Sequence, residues 1–117
     1  MKAVIQRVSH ASVTIEGRVK SQIDNGYLIL LGIGNEDNQE DIDWLVHKIV
    51  NLRIFDDENG VMNRNILDIN GNIIVVSQFT LMASYKKGNR PSWIRAAGHE
   101  TAIPLYETFV SALTAAM

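Results

Sequence analysis

A short apolar run that ends abruptly in polar side chains constrains this chain most. Asn72-Ile73-Ile74-Val75-Val76 follows the turn signal Asn70-Gly71 and reads as a strand buried on both faces. Ser77, Gln78 and Thr80 come next with no turn residue between them, and the extended reading continues to about Ala83. Polar groups at the tip of a buried strand must find partners or cost roughly 1–3 kcal/mol each. Such a tip either satisfies neighbouring backbone or lines a site, and the pattern alone leaves both open.

The rest of the chain supplies the frame. Residues 2–8 alternate and read as a strand, and Ser12–Glu16 and Arg18–Ile23 read as a hairpin about Gly17. Asp24-Asn25-Gly26 is a turn. Tyr27 to Gly34 then reads as a buried central strand, and at about eight residues this longest apolar run is too short to span a bilayer. Asn38 can cap a helix with Asp41 three residues on, and Ile42, Leu45, Val46, Ile49 and Leu52 recur as one apolar stripe. Ile54-Phe55 is a short extended piece before the polar turn 56–60. A loop spans 85–98. A last helix carries Leu105, Phe109, Ala112, Leu113 and Ala116 on one face. Pro104 suits the first turn of a helix beginning near Ile103 and would kink one beginning at His99. The expected fold is α+β: a curved antiparallel or mixed sheet, or a small β-barrel, packed by two helices. At 117 residues it is expected to be a single domain, 1–117.

Composition removes several chemistries. With no cysteine, disulfides, thiolate nucleophiles and zinc–thiolate sites are excluded. His10, His47 and His99 are too widely spaced to form a metal pair on one helix face. Met1-Lys2 leads into an alternating strand rather than an apolar leader, so the cytoplasm is the expected compartment. Gly32-Ile33-Gly34 lacks the third glycine of a dinucleotide fingerprint and reads as a tight strand exit or a close backbone approach.

Charge is more telling in layout than in sum. Residues 36–43 hold five acids and no base, as suits the first turn of the helix. Residues 69–99 hold no acid and four bases, Lys86, Lys87, Arg90 and Arg95. An all-positive segment directly after a polar cluster suits an anionic ligand such as RNA phosphate, and a solvated loop is the plainer alternative. Arg7, near the end of the first strand, is either an exposed strand arginine or an arm to neighbouring backbone or phosphate. Thr80 is the best chemical candidate. As a continuing strand, Thr80 shares a face with Gln78, opposite Ser77, Phe79 and Leu81. A threonine hydroxyl is a poor nucleophile without a base, and none is near in sequence, so positioning is its better role. Backbone N–H groups about Phe79 and Thr80 could then hold a developing oxyanion, each typically worth roughly 3–4 kcal/mol of barrier.

Met1–Val8 with Ala11-Ser12-Val13, Gly26–Ile33, Leu52-Arg53-Ile54-Phe55, Val75–Leu81 and Gly88-Asn89-Arg90-Pro91-Ser92 together resemble the D-aminoacyl-tRNA deacylases, from Met1 to at least Val110. The resemblance implies a hydrolase of the ester between a D-amino acid, or glycine, and the terminal adenosine of tRNA, a proofreading step in translation quality control. It implies a cytoplasmic homodimer with sites at the subunit interface, working without metal or other cofactor and away from membranes. It places Thr80, Gln78, Ser77 and Phe79 at the pocket as the catalytic set. Arg7, Lys86, Lys87 and Arg90 are the expected substrate-binding residues. In the family, Arg7 resembles the residue bracing a Gly–cis-Pro element that enters from the partner subunit. Thr80 is read there either as nucleophile or as a positioning group, with the ribose 2′-hydroxyl assisting water. Family members continue with a strand pair carrying the Gly–Pro element. The two prolines here, Pro91 and Pro104, do not follow glycine, so the expectation is a domain without those strands. A non-catalytic tRNA 3′-end binding module is the alternative function, and a plain protein-interaction domain a third.

Overall fold

The computed structural model describes residues 1–84, 86 and 88–117. Its centre is a strand (β4, Gly26–Gly32) whose Tyr27, Ile29 and Leu31 are wholly buried. Lys2–Val8 (β1) pairs antiparallel with β4 on one side, from Lys2 opposite Gly32 to Val8 opposite Gly26. Asn72–Ser77 (β7) pairs parallel on the other, from Gly26 opposite Asn72 to Leu31 opposite Ser77. The sheet order is therefore β1-β4-β7. Ala11–Ile15 (β2) and Arg18–Ile23 (β3) form a separate hairpin, and Phe55–Asp56 (β5) and Met62–Arg64 (β6) another. The β2–β3 turn is closed by Glu16 and Gly17 at φ 51° and 77°, the left-handed pair that matches strand twist.

Both helices cover one face of the three-stranded sheet. Gln39–Asn51 (α1) starts at a complete capping box. The Asn38 side chain accepts from Glu40 N–H at 3.0 Å, and Asp41 accepts from Asn38 N–H at 2.9 Å. Ile42, Val46, Ile49 and Val50 face inward, with Leu45 packed at the margin. His99–Ala116 (α2) adds Phe109 and Leu113, and the Tyr106 hydroxyl donates to the Val75 carbonyl at 2.8 Å, tying α2 to β7. Tyr27 stacks on Phe55 with centroids 5.1 Å apart. Its hydroxyl finds no hydrogen-bond partner among the described residues, and burial pushes the phenol above its ordinary value of 10.0 while the Arg7 charge pulls it back.

Four expectations change. First, β7 lies at the edge of its sheet rather than in its interior. Ile74 is buried, Ile73, Val75 and Val76 are half-buried, and the central strand is β4, buried at Tyr27, Ile29 and Leu31 and half-buried at Leu28 and Leu30 on its other face. Second, β7 stops at Ser77 instead of running to Ala83, and Phe79–Met82 forms a 3₁₀ turn. Third, no closed barrel forms among the described residues. The sheets are three separate pieces, which leaves the α+β description. Fourth, α2 begins at His99 despite Pro104. The Gly98 carbonyl accepts from both Thr101 and Ala102, at 3.0 and 2.8 Å, so the first turn closes before the proline is reached.

Two substitutions probe this frame. Asn38→Ala should lower stability by about 1 kcal/mol through loss of the cap. Tyr27→Phe should leave stability unchanged or raise it by about 1 kcal/mol, because it removes a buried hydroxyl without a partner. Urea denaturation midpoints measure both.

Candidate functional site

The polar tip is made by strand pairing running out. Gln78 N–H donates to the Leu31 carbonyl at 2.8 Å, the last rung between β4 and the chain leaving β7. Beyond it the partner residue is Gly32. A Cβ at Gly32 would stand 2.9 Å from Leu81 Cβ and 3.2 Å from the Gln78 carbonyl oxygen. The 3₁₀ turn thus folds down onto bare glycine backbone, in the close approach its place in Gly-Ile-Gly suggested. Leu81 N–H donates to the Gln78 carbonyl at 3.3 Å and Ala83 N–H to the Thr80 carbonyl at 3.2 Å. The first N–H groups of such a turn, those of Phe79 and Thr80, have no partner within it. Gly34 serves the same end one step on, since its Cβ would meet Met82 Cε at 3.0 Å.

This geometry replaces the strand-like alternation expected of Gln78 and Thr80 against Ser77, Phe79 and Leu81. The turn brings Gln78 back to Thr80, and the Gln78 side-chain amide bonds the Thr80 hydroxyl. An amide cannot accept a proton at neutral pH in either orientation. Ser77, Phe79 and Thr80 are exposed and Gln78 is half-exposed, so the tip is open to a ligand rather than sealed inside.

The basic segment is held against this turn. Ser84 and Ser92 exchange backbone hydrogen bonds of 2.6 and 2.7 Å and close the intervening loop. Phe79 meets Trp93 edge to face, centroids 5.8 Å apart. Residues 93–97 then run beside the exit of β4. Asn35 N–H donates to the Arg95 carbonyl at 3.1 Å, Asn35 Nδ2 to the Ile94 carbonyl at 2.8 Å, and Ala97 N–H to the Ile33 carbonyl at 2.9 Å. Lys86, Arg90 and Arg95 are exposed. Lys87 lies outside the described residues.

A hollow of about 470 Å³ adjoins the turn, with Gly34–Asp37 on one side and Met82, Ile94 and Arg95 on the other. Ser77, Gln78 and Thr80 do not line it. Its floor is organised by Asp37, which accepts from Gly34 N–H at 2.6 Å and from the Met1 ammonium at 2.5 Å. The hydroxyl, amide and open N–H groups lie on the turn and not in the hollow.

Arg7 is not part of this cluster within one chain. It pairs with Tyr27, whereas Ser77 pairs with Leu31, four residues along β4 and about 13 Å away at a strand's rise. Its guanidinium donates to the Ile54 carbonyl at 2.7 Å and lies 3.5 Å from Asp56, which realises the arm to neighbouring backbone. His47 sits on the exposed face of α1 beside Asn51. Among the described residues, no group of three or more His, Asp or Glu side chains converges as a metal site requires. Sequence reasoning missed the Phe79–Trp93 contact, for which the only signal was two aromatics flanking a basic loop.

Comparison with known proteins gives the family and the fold. The family described as D-Tyr-tRNA(Tyr) deacylase matches residues 4–117. A D-aminoacyl-tRNA deacylase of Phocaeicola vulgatus is 66% identical over 114 residues, 97% of this chain and 76% of the relative. One of Bacteroides fragilis is 66% identical over 117 residues, 100% of this chain and 78% of the relative. A solved structure titled c-Myc DNA Unwinding Element Binding Protein superposes with TM-score 0.90 at 44% identity, covering 97% of this chain and 76% of that one. Another, titled as a probable eukaryotic D-amino acid tRNA deacylase, has TM-score 0.79 at 15% identity over 97% of this chain and 67% of that one, and speaks to the fold alone.

Gly32→Ala tests how the turn is seated. It should lower stability by about 1–3 kcal/mol through overpacking and displace the amide resonances of Phe79 and Thr80. An unchanged urea midpoint and unmoved resonances would show that the turn does not rest on this glycine.

Proposed function

The chain belongs to the D-Tyr-tRNA(Tyr) deacylase family, and from that membership we infer that it is a D-aminoacyl-tRNA deacylase, a hydrolase of the ester joining a D-amino acid to the 3′ adenosine of tRNA. The observation that carries this reading is the family match over nearly the whole chain, with Ser77-Gln78-Phe79-Thr80 held open at the strand tip. In this reading the acylated adenosine lies on the Phe79–Met82 turn. Water attacks the ester carbonyl carbon. The N–H groups of Phe79 and Thr80 receive the oxyanion, and the ester bond breaks with the ribose oxygen taking a proton. Free amino acid and tRNA leave.

Thr80 acts in this scheme by positioning. The one hydrogen-bond partner of its hydroxyl among the described residues is the Gln78 amide, which cannot deprotonate it. That supports water as nucleophile, assisted by the substrate's own 2′-hydroxyl. Ser77 completes the lip of the site. Lys86, Lys87 and Arg90 serve the RNA backbone in this reading, by charge and by their place after the turn. Arg7 serves a site completed by a second copy, since it is remote from the turn of its own chain. A homodimer is further supported by the sheet face the helices leave uncovered. Val4, Leu30 and Val76 share one rung there, with Val4 48% exposed and the other two half-buried. A cytoplasmic place follows from the tRNA substrate, and no described helix is long and apolar enough to cross a membrane. One solved relative has a DNA-binding title. An overall charge of −2, with four of the eleven Lys and Arg residues in the acid-free segment 69–99, favours a short single-stranded end over a duplex.

Incubation with D-tyrosyl-tRNA should release D-tyrosine above the buffer rate, with L-tyrosyl-tRNA as the stereochemical control. Salt-sensitive binding of tRNA without release would favour the non-catalytic binding module instead. Thr80→Ala should keep measurable turnover, reduced about 10- to 100-fold, the worth of one hydrogen bond to a charged group. Activity at the buffer level together with a trapped acyl-threonine in the unaltered protein would establish Thr80 as nucleophile.

A further inference from the structure

We propose that Phe79 and Trp93 form a stacking platform for the unpaired nucleotides that precede the acylated adenosine, with Arg90 and Arg95 neutralising their phosphates. The proposal rests on the deacylase reading and assigns a second, adjacent subsite to it. Phe79 remains 58% exposed and Trp93 41% exposed although they touch each other edge to face. An aromatic pair left open this way presents ring faces that any base can cover. Phe79 belongs to the turn that carries Thr80, so a strand whose last nucleotide sits at Thr80 passes the pair directly. Trp93 is fixed relative to that turn by the Ser84–Ser92 bridge on one side and by the Asn35 and Ala97 hydrogen bonds on the other.

Charge selects the occupant. Residues 69–99 contain no acid, and Arg90 and Arg95 flank Trp93 in sequence and are exposed. A basic groove with open aromatics is the recognition surface of single-stranded nucleic acid. The neighbouring 470 Å³ hollow is a poorer phosphate site, because Glu36 and Asp37 line it and outnumber the one base, Arg95, at its wall.

Trp93 fluorescence reads the proposal. The chain has two tryptophans, and Trp44→Phe on the exposed face of α1 leaves Trp93 as the sole reporter. An RNA minihelix with an unpaired, unacylated CCA end is the probe. The expected result is saturable quenching in Trp44→Phe and, by fluorescence anisotropy of a fluorescein-labelled minihelix, a roughly tenfold or greater loss of affinity in Trp93→Ala with recovery in Trp93→Phe. Arg90→Gln and Arg95→Gln should each reduce the slope of log affinity against log salt by about 0.7. With D-tyrosyl-tRNA, Trp93→Ala should raise KM by a similar factor and leave kcat nearly unchanged. Unchanged affinity and KM in Trp93→Ala, with normal deacylation by the unaltered protein, would overturn the platform and leave the enzyme standing. Labelled-minihelix affinity that is lost in Trp93→Ala, while neither the unaltered protein nor any variant releases D-tyrosine, would support the platform and overturn the deacylase reading. A shift in sedimentation of Trp93→Ala with unchanged RNA affinity would overturn the platform in favour of a contact between copies of this chain.

Discussion

A glycine with no side chain at the end of the central strand decides how the polar tip Ser77–Thr80 is presented. While β4 lasts, the chain arriving along β7 is held by ladder hydrogen bonds, ending with Gln78 N–H on the Leu31 carbonyl. At Gly32 the sheet presents backbone without a Cβ, and Leu81 occupies the space a methyl would need. The chain therefore collapses into a 3₁₀ turn on the sheet instead of continuing as an edge strand. That collapse frees two N–H groups, joins Gln78 to Thr80 and sets Phe79 against Trp93.

The surroundings hold this turn from three directions. The buried face of β4 carries Tyr27, Ile29 and Leu31 into a core shared with α1 and α2, so the glycine beneath the turn is part of the most deeply buried strand. The β4 exit is pinned by Asp37, which binds both Gly34 N–H and the Met1 ammonium. The 93–97 segment is laced to residues 33–35 and supplies the outer wall. The site itself stays exposed and polar while its support is apolar and closed. Precise placement of donors by a rigid scaffold is what electrostatic stabilisation of a transition state requires.

What was readable from sequence divides along the reach of the forces involved. The α1 start was readable because Asn38 and Asp41 cap each other within one turn. The central place of β4 was readable because its run from Tyr27 to Leu31 is apolar throughout, as a strand flanked by two others tends to be. The motif Ser77-Gln78-Phe79-Thr80 was readable through its family resemblance. The end of β7 was not, because it depends on Gly32, far away in sequence. Nor was the edge position of β7, since sheet order is a matter of pairing partners and Ile73–Val76 is apolar either way. The remoteness of Arg7 needed the β1–β4 register, and the Phe79–Trp93 contact needed the loop path. Local patterns do not encode either.

The central claim is that the turn seated on Gly32 receives the acylated adenosine through the N–H groups of Phe79 and Thr80. A stable analogue with D-tyrosine joined by an amide to 3′-aminoadenosine, titrated into ¹⁵N-labelled protein, tests it most directly. The account expects the largest saturable shifts at the Phe79 and Thr80 amides. Shifts confined to other places, such as the groove between Ile73–Val75 and α2, with Phe79 and Thr80 unmoved, would contradict it.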